Sequence, residues 1–179
     1  MIEAVRLFVS SSPDLAAERE ALGQAVAELP ISVGFEIRHT TPDEAADETL
    51  AFIESCDLYA IVLGADFAAP MGIEWRQAQD TRRPTLAYAK HEMRSPSAQK
   101  LLRELGAAWT PFESPAELKA HATRALAQAL LDRGENLGLH VDDIDGLLAV
   151  LGKEGEEPSA KPDRRQGAGR SSVILGREE

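Results

Sequence analysis

Ser/Thr-Pro pairs punctuate the chain, among them Ser12-Pro13, Thr41-Pro42, Ser95-Pro96 and Ser114-Pro115. A hydroxyl residue followed by proline suits the start of a helix, because the side chain caps a free N–H and proline's missing N–H costs nothing there. Thr41 with Glu44 and Ser114 with Glu117 extend the pattern to capping boxes. Each pair follows, or nearly follows, a short apolar stretch. A chain that repeatedly leaves a strand and enters a helix follows the grammar of an α/β fold.

The strands stand out in order. Val5 to Val9 is β-branched, aromatic or aliphatic apart from Arg6, and Val33 to Thr40 alternates well enough for a second strand. Leu58 to Leu63 is the most apolar stretch and is therefore expected at the sheet's centre. Thr85 to Ala89 and Trp109 to Phe112 complete a set of five. Helices are expected over 13–29, 42–56, 73–81, 95–105 and 115–133. The expected fold is a three-layer α/β sandwich with a flavodoxin-like parallel sheet of about five strands.

Residues 1–138 are expected to form that domain, and 139–154 a short helical extension. Residues 155–179 are rich in Gly, Pro, Ser and charge without apolar period, which predicts a flexible linker or tail. The net charge of −11 argues against a general nucleic-acid or anionic-membrane surface, since both need a positive field. With one cysteine, Cys56, no intrachain disulfide forms and a cysteine-based zinc site is not credible. The histidines are scattered without metal-ligand spacing, so neither metal nor cofactor is expected. No signal peptide or membrane span is evident, and a cytoplasmic location is expected.

Topology alone predicts a pocket. With strand order 2-1-3-4-5, the switch point lies between the first and third strands, and ligands bind outside the carboxyl ends there. The flanking loops carry Ser10, Ser11, Ser12 and Asp14 on one side and Gly64 and Asp66 on the other. Helix capping alone accounts for Ser12 and leaves Ser10 and Ser11 unexplained. Glu74 is the acid best placed above this crevice, read as the opening of the third helix just past a Pro70–Gly72 turn. A fixed carboxylate there can stabilise positive charge developing on a sugar carbon, or attack that carbon. The bland alternative is a first-turn glutamate that helps its own helix. Glu18, on a leucine-lined helix face, needs a partner; Arg6, Arg19 or a backbone N–H are candidates. Serines after the first strand stand where a phosphoryl receiver needs an acidic pair, and no P-loop or G-x-G-x-x-G is present.

Three motifs together resemble a known family: V-R-L-F-V-S-S-S-x-D-L-x-x-E-R-x-A, E-S-C-D-L-Y-A-I-V-L-G, and G-I-E-W-R-Q-A before R-P-T-L-A-Y. They resemble the domain of unknown function 4062 family, from about Val5 to Lys90. That family is similar to the Toll/interleukin-1-receptor (TIR) and nucleoside deoxyribosyltransferase folds. The resemblance implies an N-terminal TIR-like signalling or interaction module of a defence or signal-transduction system, able to bind NAD or another nucleotide. Self-association or an effector protein partner is implied with it. The alternative it implies is an NAD or nucleoside N-glycosidase in which Glu74 acts at the N-glycosidic bond. Ser10 to Ser12 then match the phosphate- and ribose-side loop.

Overall fold

The computed structural model describes residues 4–40, 46–104 and 108–152. Five strands, β1 (Ala4–Ser11), β2 (Gly34–His39), β3 (Leu58–Leu63), β4 (Thr85–Lys90) and β5 (Thr110–Phe112), form one sheet in the order β2-β1-β3-β4-β5. Every pairing is parallel. The helices α1 (Ala16–Ala27), α2 (Ala46–Ser55), α3 (Ala69–Asp80), α4 (Pro96–Glu104), α5 (Pro115–Leu131), α6 (Gly134–Leu137) and α7 (Val141–Gly152) connect and extend them. The result is the expected flavodoxin-like three-layer sandwich.

Parallel strands covered on both faces need apolar side chains on both. β3 meets that demand, with all six residues buried. Alternation along β1 divides the core. Val5, Leu7 and Val9 join Leu22, Leu118, Leu126 and Leu130 on the α1/α5 face, whereas Phe8 joins Phe52, Tyr59, Met71 and Trp75 on the α2/α3 face. Burying each such large side chain stabilises the fold by roughly 1.5–3 kcal/mol. The second face is built of aromatic rings: Phe8 stacks on Tyr59 at 6.0 Å, Tyr59 meets Trp75 edge-on at 6.2 Å, and Trp75 stacks on Trp109 at 6.5 Å.

Helix α7 packs onto this body. Leu147 is buried in the α1/α5 core. Asp143 accepts from the Ser32 amide at 2.6 Å and from the His140 amide at 2.8 Å. Those amides hold the Asp143 carboxyl below its ordinary range, the His140 bond contributing most.

Several helix starts differ from expectation. Ser12 does not cap α1: its carbonyl accepts from the Leu15 amide at 3.2 Å, Pro13 and Asp14 form a turn, and the helix begins at Ala16. Helix α3 begins at Ala69, so Pro70 lies in its first turn and Gly72 inside it rather than in a preceding turn. The Thr41–Glu44 capping box lies outside the described residues. Ser114 does cap α5, accepting from the Glu117 amide at 3.3 Å. Ser95 takes the Ala98 amide at 3.2 Å at the start of α4. The expected tail, 155–179, also lies outside the described residues.

Candidate functional site

The carboxyl end of β1 carries three buried hydroxyls, with Ser10, Ser11 and Ser12 at 0%, 2% and 4% exposure. Pairing with β3 sets Ser10 beside Ile61 and Ser11 beside Val62. Alternation along the strand then sends Ser10 to the α2/α3 face that Phe8 occupies. There it meets α3. Met71, Glu74, Trp75 and Ala78 are the buried residues of that helix, spaced three, four and seven apart, so one stripe faces the sheet. Glu74 is part of that stripe and only 3% exposed.

The Ser10 hydroxyl donates to Glu74 Oε2 at 2.5 Å. The Thr40 hydroxyl donates to the same oxygen at 2.8 Å. Glu74 is the sixth residue of α3, in its second turn, and no acid occupies the first. The helix dipole, which fades beyond the first turn, is therefore not what holds this carboxylate. Hydroxyl donors are. Bonds to an ionised acceptor are the stronger kind, and a buried carboxylate needs them. Behind Ser10 lies Tyr59, whose buried hydroxyl has no partner within hydrogen-bond geometry among the described residues. Burial pushes its ionisation far above the ordinary phenol range, so it stays protonated.

The other sequence-derived candidates take different places. Arg19 braces the serine loop, donating through Nη1 to Ser11 Oγ at 3.1 Å and to the Ser12 carbonyl at 2.7 Å. The Ser12 hydroxyl is buried with no partner among the described residues. Asp14 is exposed in the turn. Gly64 packs closely: a Cβ there would lie 2.9 Å from Glu92 Oε1 and 3.0 Å from Leu15 Cδ2. Asp66 accepts from Ser95 Oγ at 2.7 Å and from the Phe67 amide at 2.8 Å, which lower its carboxyl below the usual range, Ser95 foremost. It ties the loop after β3 to the loop before α4. Of the named candidates, then, the fold joins Ser10 directly to Glu74 and groups Ser11 and Ser12 beside them on one loop.

Thr40 was not a sequence-derived candidate. It ends the second strand without a motif, and only the strand register brings it beside Ser10. Among the described residues no group of three or more His, Cys, Asp or Glu is placed to hold a metal ion. No described helix is long and apolar enough to cross a membrane.

The fold and these contacts define a flavodoxin-like α/β domain with an acid-and-hydroxyl cluster at the switch point of its sheet. The chain belongs to the family described as domain of unknown function DUF4062, which it matches over residues 6–128. No curated protein sequence matches it. Among solved structures it is similar to the CMP N-glycosidase BcmB of Clostridium botulinum, with 14% identity over 65% of this chain and 96% of that one, at a TM-score of 0.47. It is similar also to the sugar isomerase domain of an RpiR transcription factor from Sphaerobacter thermophilus, with 19% identity over 86% of this chain and 79% of that one, at a TM-score of 0.50. At such identities likeness speaks of fold alone.

Proposed function

We propose that the domain binds a nucleoside or nucleotide, NAD included, at the carboxyl ends of β1 and β3 and acts at its N-glycosidic bond through Glu74. The observation that carries this reading is the bonding of buried Glu74 to two hydroxyls, Ser10 and Thr40, at the switch point. Open parallel sheets place ligands there. Cleavage of an N-glycosidic bond sends the bonding pair to the departing base and leaves positive charge on the anomeric carbon. A carboxylate fixed beside that carbon stabilises the charge, or bonds to it until water replaces it. Water supplies the hydroxyl that ends on the sugar and the proton that ends on the solution or the base.

The test is base release from NAD, nucleosides and nucleoside monophosphates at high protein concentration, with Glu74→Gln as control. Glutamine keeps a carbonyl oxygen for the Ser10 and Thr40 hydroxyls, so the site's packing survives while the negative charge is lost. Release by the wild type that falls at least about a hundredfold in the variant supports the reading. Binding without release in either protein would instead make the domain a nucleotide-sensing signalling module. Neither binding nor release across the panel overturns the proposal.

A further inference from the structure

β1 and β2 run parallel with Val9 opposite His39, and the Thr40 amide donates to the Val9 carbonyl at 3.2 Å. One residue further along each strand stand Ser10 and Thr40. The register therefore makes them cross-strand neighbours, and their hydroxyls converge on Glu74 Oε2 at 2.5 and 2.8 Å. A hydroxyl has one proton to donate. Both protons are spent on Glu74, so neither side chain has a donor left for a ligand.

We infer that Thr40 is a positioning residue, forming with Ser10 a cross-strand clamp that fixes the plane of the Glu74 carboxylate and favours its ionised form. The inference rests on the reading of Glu74 as the acting group. Donors to the charged form oppose the desolvation that burial imposes on a carboxylate. Two donors on one oxygen, held by two different strands, also restrict rotation about the last side-chain bond, which a single donor would leave freer. Among the described residues, the groups that face Glu74 include Ser10 from β1, Thr40 just past β2 and the protonated phenol of Tyr59 from β3.

Thr40→Val removes the hydroxyl at nearly constant volume, and Thr40→Ser returns it. For base release, the valine variant is expected to lose about tenfold in kcat with KM within about twofold, because the clamp touches no substrate. The acid limb of its kcat profile is expected to move to higher pH, and serine to restore both. A second readout needs no turnover: difference infrared spectra across pH, with the Glu74 band assigned through Glu74→Gln. Its protonation midpoint is expected to rise in the valine variant and return in the serine one. If the wild type releases no base, the glycosidic reading fails, and the infrared titration alone decides the clamp. A Thr40→Val midpoint equal to wild type, a rise in KM at constant kcat, or failure of serine to restore would each overturn the inference.

Discussion

Glu18 Oε1 lies 2.9 Å from Lys90 Nζ, joining the first turn of α1 to the last residue of β4. The glutamate is 4% exposed and the lysine 27%. An acid on an apolar helix face is tolerable because a cation reaches it from the sheet's carboxyl end. Glu18 holds the Lys90 ammonium above its ordinary value of 10.5, with Glu92 and Asp14 adding to it.

Glu18→Gln is expected to destabilise the fold by about 1–3 kcal/mol, between the cost of breaking buried and exposed pairs. Because the lysine's folded value is raised, its contribution is complete below 10.5 and fades as pH climbs through the folded value. Urea midpoints at pH 8 and at pH above 11 would check this. The wild-type advantage over Lys90→Met should shrink at the higher pH.

Two glycines should respond in opposite directions to alanine. A Cβ on Gly146 of α7 would lie 2.8 Å from the Pro30 carbonyl oxygen and 3.0 Å from its ring. Backbone cannot step aside cheaply, so Gly146→Ala should lose about 1–2 kcal/mol despite a helix-propensity gain of about 1. Gly23 of α1 has nothing within 4 Å, and Gly23→Ala should gain up to about 1 kcal/mol. Denaturation midpoints, with hydrogen exchange along α7, would read both.

Cys56 is buried, and burial pushes its thiol from 9.0 up to about 11. Only roughly one molecule in a thousand then carries the thiolate at pH 8. Native protein should resist iodoacetamide at pH 8 for hours and react within minutes in urea. Here too the folded value is raised. The neutral thiol's contribution to stability is present below 9.0 and is lost between there and about 11.

Arg82 follows the end of α3 with φ of 54°, the left-handed region where a side chain is strained. Arg82→Gly is expected to raise stability by up to about 1 kcal/mol, measurable as a rise in Tm.

How much of this was legible in the sequence depended on how local each signal was. The all-apolar stretch Leu58–Leu63 marked the central strand, and the Ser114–Glu117 spacing marked a helix start, since both signals act within a few residues. The start of α3 left no such trace, because Ala68 caps it without any side-chain bond. Read locally, Pro70 and Gly72 therefore suggest a turn. In the structure, Gly72 sits in the helix, where a Cβ would come within 3.0 Å of the Phe67 ring. Glu74 was identified as the candidate acid, but with a first-turn environment it does not have. Its partner Thr40 and the Glu18 partner Lys90 lie 34 and 72 positions away along the chain, and only the pairing of strands with the packing of α3 and α1 on the sheet brings them near.

The meeting of Ser10 and Thr40 depends on parallel pairing, and successive residues of a strand point to opposite faces. Deleting one residue within 34–39 while β1 keeps its place would turn Thr40 away from Glu74, even with every remaining side chain unaltered. The bonding of Glu74 is thus encoded as much in the length of an outer strand as in the identity of the groups around it.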